Sequence, residues 1–358
     1  MSDQHVTIGI VGAGNIAGSY TSDLLSYPYV HLAGIADLDP ARAEQLAAQH
    51  GIPAYPSVAA LLDDPAIDLV VNLTVHHAHY AVTTQILEAG KHVYSEKPLA
   101  LRPDEAHSLV ELARTRGLRL GCSPFTWMGE AQQTAFRQIQ SGRLGPVRLA
   151  YAEVNWGRIE SWHPAPASFY DVGVLWDVGV YPLTLLTAFL GPARRVWAQG
   201  TVLYPDRVTK DGTPFHITTP DFVLALIELE SGTLVRLTTN FYVKTTQQNS
   251  GVEFHGDKGS LHLSSWQAFD AWVGYGDFGT ALEPQPLVRA APQGTPWGRG
   301  AAELAQAILE DRPHRATGEQ AAHIVDILAA ISESIASGQS VEVRSSFPPP
   351  PPLEWALG

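Results

Sequence analysis

Three short stretches of this chain combine residue types and spacings suited to chemistry. The first is Gly12-Ala13-Gly14-Asn15-Ile16-Ala17, between an apolar run at Thr7–Val11 and a helical pattern from Ile16 to Leu25. Glycine at 12 permits a tight turn, the missing Cβ at Gly14 lets backbone approach a pyrophosphate, and Ala17 lets helix and strand pack closely. The helix opening at Asn15 and Ile16 then aims free N–H groups and a positive dipole end at the phosphates. Asp37 closes the next apolar run, His31–Ala36. A carboxylate there suits ribose hydroxyls and repels a 2′-phosphate, which favours NAD over NADP. Arg42 lies close enough to weaken that preference, and Asp37-Leu38-Asp39-Pro40 is also ordinary turn chemistry.

The second stretch is Glu96-Lys97-Pro98, which follows the apolar run His92–Ser95. It falls at the carboxyl edge of a strand, where open α/β sheets bind ligands. A lysine is normally solvated, but the following proline restricts the backbone of Lys97 and aims its side chain. The third is Asp177 and Tyr181, four residues apart. On a helix such a pair shares a face, so both side chains can point at one substrate. Pro182 within an early turn warns that this geometry is imperfect. Trp162-His163-Pro164 and Phe169-Tyr170 precede the pair and could stack on a sugar's C–H surface or pack in the core. Three clustered histidines, His76, His77 and His79, invite a zinc reading. No cysteine lies near and the spacing is not that of a helical zinc pair, so no metal is expected.

The elements that must position these residues alternate strand and helix through the first third of the chain. The runs Thr7–Val11, His31–Ala36, Leu69–Leu73, His92–Ser95 and Arg119–Cys122 are mostly apolar, without strict alternation. That pattern predicts a parallel sheet covered on both faces, a doubly wound Rossmann-type α/β domain over 1–123. Strands then follow one another: Val147–Trp156, Val196–Tyr204, Phe222–Leu229, Thr233–Tyr242 and a hairpin over Gly251–Leu263. They predict an α+β domain with a mostly antiparallel open sheet over 124–345. Helices are expected at Gly300–Glu310 and Glu319–Ser337, and 346–358 as a solvated, extended proline tail.

The bulk numbers narrow the partners. A chain of 358 residues suggests two domains, and 45% hydrophobic residues suffice for a packed core. The net charge of −13 opposes phosphate backbones and anionic headgroups, so neither nucleic acid nor membrane is expected as a partner. One cysteine, Cys122, excludes a disulfide framework and reads as a small buried apolar residue. Met1–Val6 carries Asp3 and no lysine or arginine, unlike a signal peptide, so the expected location is cytoplasmic.

Taken together, Gly12–Ala17, Asp37, Asn72-Leu73-Thr74, Glu96-Lys97-Pro98 and the 251–263 hairpin resemble the family of glucose-fructose oxidoreductase, inositol dehydrogenase and rhizopine catabolism proteins (Gfo/Idh/MocA). The resemblance runs from about residue 6 to residue 345. It implies a nicotinamide-dependent dehydrogenase or reductase that moves a hydride to or from the hydroxyl or keto carbon of a sugar or polyol. It implies that Lys97 contacts the nicotinamide ribose and the reacting hydroxyl, and that the Lys97–Pro98 peptide is often cis. Thr74 would lie in the nicotinamide-side loop, with His79 and Glu96 beside the cofactor. Asp177 would orient the substrate or the ammonium, and Tyr181 would donate or accept the proton. A phenol with a pKa of about 10 needs a nearby cation for that task, and Lys97 is the natural candidate.

Departures from the pattern carry information too. Tyr181 stands where inositol dehydrogenase-like members have histidine, and Thr184 where they have an acid. The chain is more similar to the dihydrodiol dehydrogenase and sugar-ketoreductase branch. Asp171-Val172-Gly173 replaces a usual triple glycine. The resemblance also implies a homodimer or homotetramer formed through the second-domain sheet. Among the aromatics before Asp177, Trp162 is the candidate substrate contact. Two other functions stay open on these residues. One is a glycosidase that uses tightly held NAD to oxidise, eliminate and rehydrate. The other is a non-catalytic nucleotide-binding regulator, which would need neither Lys97 nor Tyr181.

Overall fold

The structure, a computed structural model, describes residues 5–244 and 251–357. The N-terminal reading that rests on Asp3 lies outside the described residues. The chain forms two compact units. The first comprises 1–125 with 296–325, and the second 126–295 with 326–358.

The first unit holds a five-stranded parallel sheet. Its strands are β1 (Val6–Val11), β2 (Val30–Ala36), β3 (Leu69–Asn72), β4 (His92–Ser95) and β5 (Leu120–Cys122), in the order β2-β1-β3-β4-β5. Every residue of β1 and β3 is buried, as strands covered on both faces require. The covering helices include α1 (Ala17–Leu24), α2 (Pro40–His50), α3 (Val58–Leu62), α4 (His79–Glu88) and α5 (Pro103–Thr115). Asp39 caps α2 by accepting from the Ala41 amide at 3.1 Å, Pro40 opens it, and Gly51 ends it in the left-handed region.

One further helix belongs to this unit against the contiguous division read from sequence. The segment 299–309 packs on the first sheet, and Asp23 of α1 accepts from the Gly298 amide at 3.0 Å. Gly300 is needed there, because a Cβ would overlap the Tyr94 hydroxyl. Nothing local in an amphipathic helix says which sheet it will cover.

The second unit is built on a nine-stranded sheet. After α6 (Glu130–Gln140) come β6 (Val147–Asn155), α7 (Ala167–Val174), α8 (Val180–Leu190), β7 (Ala193–Thr201), β8 (Asp206–Val208), β9 (Pro214–His216), β10 (Phe222–Leu229), β11 (Leu234–Asn240), β12 (Gly251–Gly256), β13 (Gly259–Leu263), β14 (Val273–Asp277) and β15 (Glu283–Pro284). The last elements are α9 (Arg299–Leu309, in the first unit), α10 (Gly318–Ser337), β16 (Val341–Glu342) and α11 (Glu354–Leu357). Strand order is β15-β14-β13-β12-β6-β11-β10-β7-β16, with β6 and β11 parallel and the other neighbours antiparallel. β8 and β9 pair separately as a small hairpin that periodicity did not suggest.

Burial alternates along β10, as expected for a sheet with one covered face. The apolar run Ala167–Leu190 is long enough by composition to cross a membrane, but 83% of its window is buried inside the protein. Gly173, at φ 81°, also interrupts it.

The proline tail is not the solvated extension its composition suggested. Leu353 and Ala356 are buried, the Leu353 amide donates to Gln133 Oε1 at 3.0 Å, and the Arg289 guanidinium lies 3.6 Å over the Trp355 ring. An extended proline run carries the chain across to seat these groups on α6. Leu353→Ala should therefore destabilise the protein by about 2 kcal/mol or more, the lower range for a buried leucine. A denaturant midpoint equal to the wild type would show that the seat contributes nothing.

Candidate functional site

In the first unit the glycine turn lies at the carboxyl end of β1, beside the β1/β3 switch point where such sheets take ligands. Gly12 has φ 103°, and a Cβ on it would lie 2.7 Å from the Leu73 carbonyl. Glycine is obligatory there for the protein's own packing. Gly14 differs: a Cβ would meet nothing within 4 Å. Its smallness serves no protein neighbour, which is what a cradle for another molecule requires.

A cavity of about 560 Å³ opens beside this turn, lined among others by Gly12, Gly14, Asp37, Leu38, Thr74 and Val75. Leu38 is 95% exposed and Val75 68% exposed, two apolar side chains presented to a flat ring from two loops. The lining fits a dinucleotide: a glycine turn at a helix start for phosphates, a carboxylate for ribose, apolar walls for a base.

Asp37 does more than face this cavity. Its Oδ2 accepts from the Ala13 amide at 2.7 Å and its Oδ1 from the Asp39 amide at 2.8 Å. One carboxylate thus shapes the glycine turn and the start of α2. Arg42, which reading the sequence set against Asp37, forms an ion pair with Asp39 at 3.5 Å, exposed on both sides.

A buried network stands behind Lys97. Glu96 Oε1 accepts from the Tyr20 hydroxyl at 2.5 Å and the Ser123 hydroxyl at 3.1 Å, while Oε2 accepts from the Lys97 amide at 3.0 Å. Tyr94 and Ser123 hydroxyls lie 3.2 Å apart, extending the chain. Burial, then the Glu96 charge, holds the Tyr20 phenol well above its ordinary pKa, so it stays a donor. The Lys97–Pro98 peptide is cis. Lys97, half-buried, sits at the carboxyl end of β4 with its amide anchored on Glu96.

His79 is buried, with Nδ1 2.7 Å from the Pro98 carbonyl and Nε2 3.0 Å from the Thr74 carbonyl. Burial lowers its pKa, against the pull of those two acceptors. The ring ties the loop after β3 to the loop after β4, both its nitrogens engaged inside the protein. Thr74 is anchored as well, its hydroxyl donating to Asn72 Oδ1 at 2.7 Å.

The second unit holds Asp177 and Tyr181. Their helix is not a plain α-helix: Leu175–Gly179 forms a π turn between α7 and α8. Pro182 lacks the amide that would bond the Val178 carbonyl, which accounts for the widening. Such turns are frequent at functional sites. Tyr181 is buried, its ring 5.0 Å from that of Trp266, which lies 5.9 Å from Trp156. Trp162, 43% exposed, clusters with His163 at 5.4 Å and Phe169 at 5.9 Å.

Reading the sequence missed the scaffold beneath that cluster. Arg207 is wholly buried and donates to Glu160 at 2.8 Å, Tyr170 at 2.6 Å and Asp221 at 2.5 Å. Its ring contact with Tyr170 is 4.4 Å. The network joins α7, the 159–160 turn, β8 and the head of β10, and no local signal in an isolated arginine marks it. Likewise Tyr20, Ser123, Leu38 and Trp266 carried no spacing pattern. Among the described residues no group of three or more His, Cys, Asp or Glu side chains could hold a metal.

A glycine-turn dinucleotide cradle, backed by a parallel sheet with a lysine at its carboxyl edge, defines a nicotinamide-binding dehydrogenase fold. Comparison with known proteins gives the family. Residues 6–123 match the model described as an oxidoreductase family with an NAD-binding Rossmann fold, and 132–262 match the GFO/IDH/MocA C-terminal domain. The chain is 35% identical over 236 residues, 63% of its length, to dTDP-3,4-didehydro-2,6-dideoxy-alpha-D-glucose 3-reductase of Streptomyces antibioticus, covering 69% of that protein. It is 28% identical over 259 residues to trans-1,2-dihydrobenzene-1,2-diol dehydrogenase of Sus scrofa, covering 71% of this chain and 73% of that one. The fold matches the crystal structure of an NAD binding oxidoreductase from Klebsiella pneumoniae with a TM-score of 0.84 at 23% identity, over 96% of this chain and 100% of that one. The chain belongs to the Gfo/Idh/MocA oxidoreductase family. It is an NAD(P)-dependent dehydrogenase or reductase acting on CH–OH groups, as the resemblance read from its motifs implied.

Gly14→Val is expected to leave the melting temperature within a few degrees while abolishing measurable dinucleotide binding, because the added side chain enters only the cradle. Calorimetric titration with NADH checks it. Wild-type affinity in the valine variant would mean that phosphates do not approach this turn.

Proposed function

We propose that this chain transfers a hydride between NAD and the hydroxyl-bearing or keto carbon of a sugar, polyol or nucleotide-linked sugar. The observation that carries this reading is Lys97, set on a fixed backbone by the buried Glu96 carboxylate at the carboxyl edge of the sheet that bears the dinucleotide cradle. When bound, the nicotinamide supplies the hydride acceptor or donor. Lys97 places a positive charge by the reacting oxygen, stabilising alkoxide character as carbon loses hydride. Tyr181 gives or takes the hydroxyl proton, and Asp177 orients the substrate. Glu96 and His79 act at one remove, holding the loops that carry Lys97, Pro98 and Thr74. Trp162 supplies an aromatic wall for sugar C–H faces. The relatives that act on a dTDP-linked keto-sugar and on a dihydrodiol support a CH–OH substrate with a ring.

NAD is the preferred cofactor in this reading, with NADP as the lesser one. Because Asp37 also receives two backbone amides, Asp37→Ala should weaken both dinucleotides and not merely shift the choice. A loss of about 1–3 kcal/mol is expected for an amide left without its charged acceptor. Titration with NADH and NADPH checks it; an unchanged NADH affinity would remove Asp37 from the site. The acidic composition and lone cysteine support a cytoplasmic location. Self-association as a homodimer or homotetramer is supported by the uncovered face of the second sheet, where Trp197, Leu224 and Leu226 are 54%, 41% and 42% exposed. The reading is tested by reduced-nicotinamide absorbance across sugars, inositols and keto-sugars with each cofactor; no absorbance change with any of them would refute it.

A further inference from the structure

Two cations in the second unit stand without an anion among the described residues. Arg158 follows the Trp156–Gly157 segment at the carboxyl end of β6, and Lys244 follows β11, the strand parallel to β6. Lys244 lies over Gly157, whose Cβ would fall 2.9 Å from its side chain, so the two cations adjoin. Among the described residues neither side chain makes an ion pair or a hydrogen bond. The nearby acids are committed elsewhere: Glu160 and Asp221 to Arg207, Asp206 to His216 at 2.8 Å. A chain of net charge −13 has no shortage of carboxylates, yet none of the described ones pairs with these two cations.

The surroundings are aromatic and rigid. The Arg158 guanidinium lies 4.5 Å from the Tyr204 ring and 4.6 Å from the Tyr242 ring, each residue 40% exposed. These rings hold the cation by its charge but accept no in-plane N–H bonds, so the donor edge is left for an acceptor. Tyr204 is fixed by the buried Arg207, whose Nε donates to the Tyr204 carbonyl at 2.9 Å and whose guanidinium lies 5.3 Å from its ring. Tyr242 is fixed through its amide on Asn240 Oδ1 at 3.1 Å, and Asn240 in turn donates to Asn155 at 2.7 Å. The same Asn240 accepts, through its carbonyl, from the Trp156 amide at 3.1 Å. From Trp156 the ring series runs through Trp266 to Tyr181. Cations, tyrosines and the phenol thus share one framework.

We propose that Arg158 and Lys244, with Tyr204 and Tyr242, form a subsite for a phosphoryl group carried by the substrate, either a sugar phosphate or a sugar nucleotide. A guanidinium edge and an ammonium together match the several oxygens and the high charge of a phosphoryl group. The tyrosines, each 40% exposed, leave aromatic surface against which a base can pack. This rests on the oxidoreductase reading for the substrate's other end.

The test is titration of pyrophosphate, UDP and glucuronate into the full-length protein saturated with NADH, so that the dinucleotide cradle is filled. Pyrophosphate and UDP should bind, glucuronate at least tenfold more weakly, and Arg158→Gln and Lys244→Gln should each weaken UDP at least tenfold. Lys244 is exposed, so its variant reports even if loss of Arg158 perturbs folding. UDP tighter than pyrophosphate assigns the tyrosines to a base and the substrate to sugar nucleotides; equal affinities assign it to sugar phosphates. No UDP or pyrophosphate binding, or unchanged affinity in both variants, overturns the subsite. If unphosphorylated sugars are oxidised while UDP does not bind, the subsite falls and the enzymatic reading stands. If UDP binds through Arg158 and no sugar, phosphorylated or not, is turned over, the enzymatic reading falls instead.

Discussion

Lys97→Ala is expected to lower turnover by about 10²–10³-fold, the loss typical when one preorganised charge partner is removed from a developing oxyanion. NADH affinity should stay within about tenfold, roughly 1.4 kcal/mol, since the substitution leaves the cradle at Gly12–Gly14 untouched. The Lys97 backbone should also hold, because its amide still donates to Glu96 Oε2, whose other oxygen remains fixed by Tyr20 and Ser123. The variant therefore separates charge from architecture. Lys97→Arg, which keeps the charge but spreads it over a planar fork, should recover only part of the rate. Steady-state kinetics with the best substrate of the panel, beside an NADH titration, decides the matter. Wild-type turnover in the alanine variant would remove Lys97 from the mechanism.

Tyr181→Phe is expected to cost about 10²–10⁴-fold in turnover, the range for a lost general acid or base. The substitution removes one oxygen and keeps the ring that lies 5.0 Å from Trp266, so the π turn and the aromatic series should persist. Its effect should therefore fall on kcat and little on KM. A near-normal kcat would mean that some other group moves the proton. An equal loss in thermal stability would mean that the phenol serves packing.

What could be read from the sequence follows physical scale. The first sheet was legible because strands covered on both faces must be largely apolar, and β1 and β3 are so, with every residue buried. The cradle was legible because Gly12 and Gly14 do their work within one turn. The support for Lys97 was not. Tyr20 and Ser123 lie 103 residues apart in sequence and meet only through the completed sheet. The same reason hides Arg207, whose partners Glu160 and Asp221 lie 47 and 14 residues away. Pro182 did signal a disturbed helix, but not that the disturbance would take the form of a π turn. The tail misled because proline content predicts an extended path and says nothing about Leu353 and Trp355 at its end. Helix 299–309 misled for a related reason: an apolar stripe demands burial without naming the surface that provides it.

The central claim is that a carbon-bound hydrogen of a CH–OH group travels as hydride to the nicotinamide. Its most direct test offers the protein NAD and the best substrate of the panel with deuterium at the hydroxyl-bearing carbon, and follows the label by mass spectrometry. Deuterium recovered in the reduced nicotinamide, in step with keto product, is the result expected. Keto product formed with the label released to solvent would contradict the account.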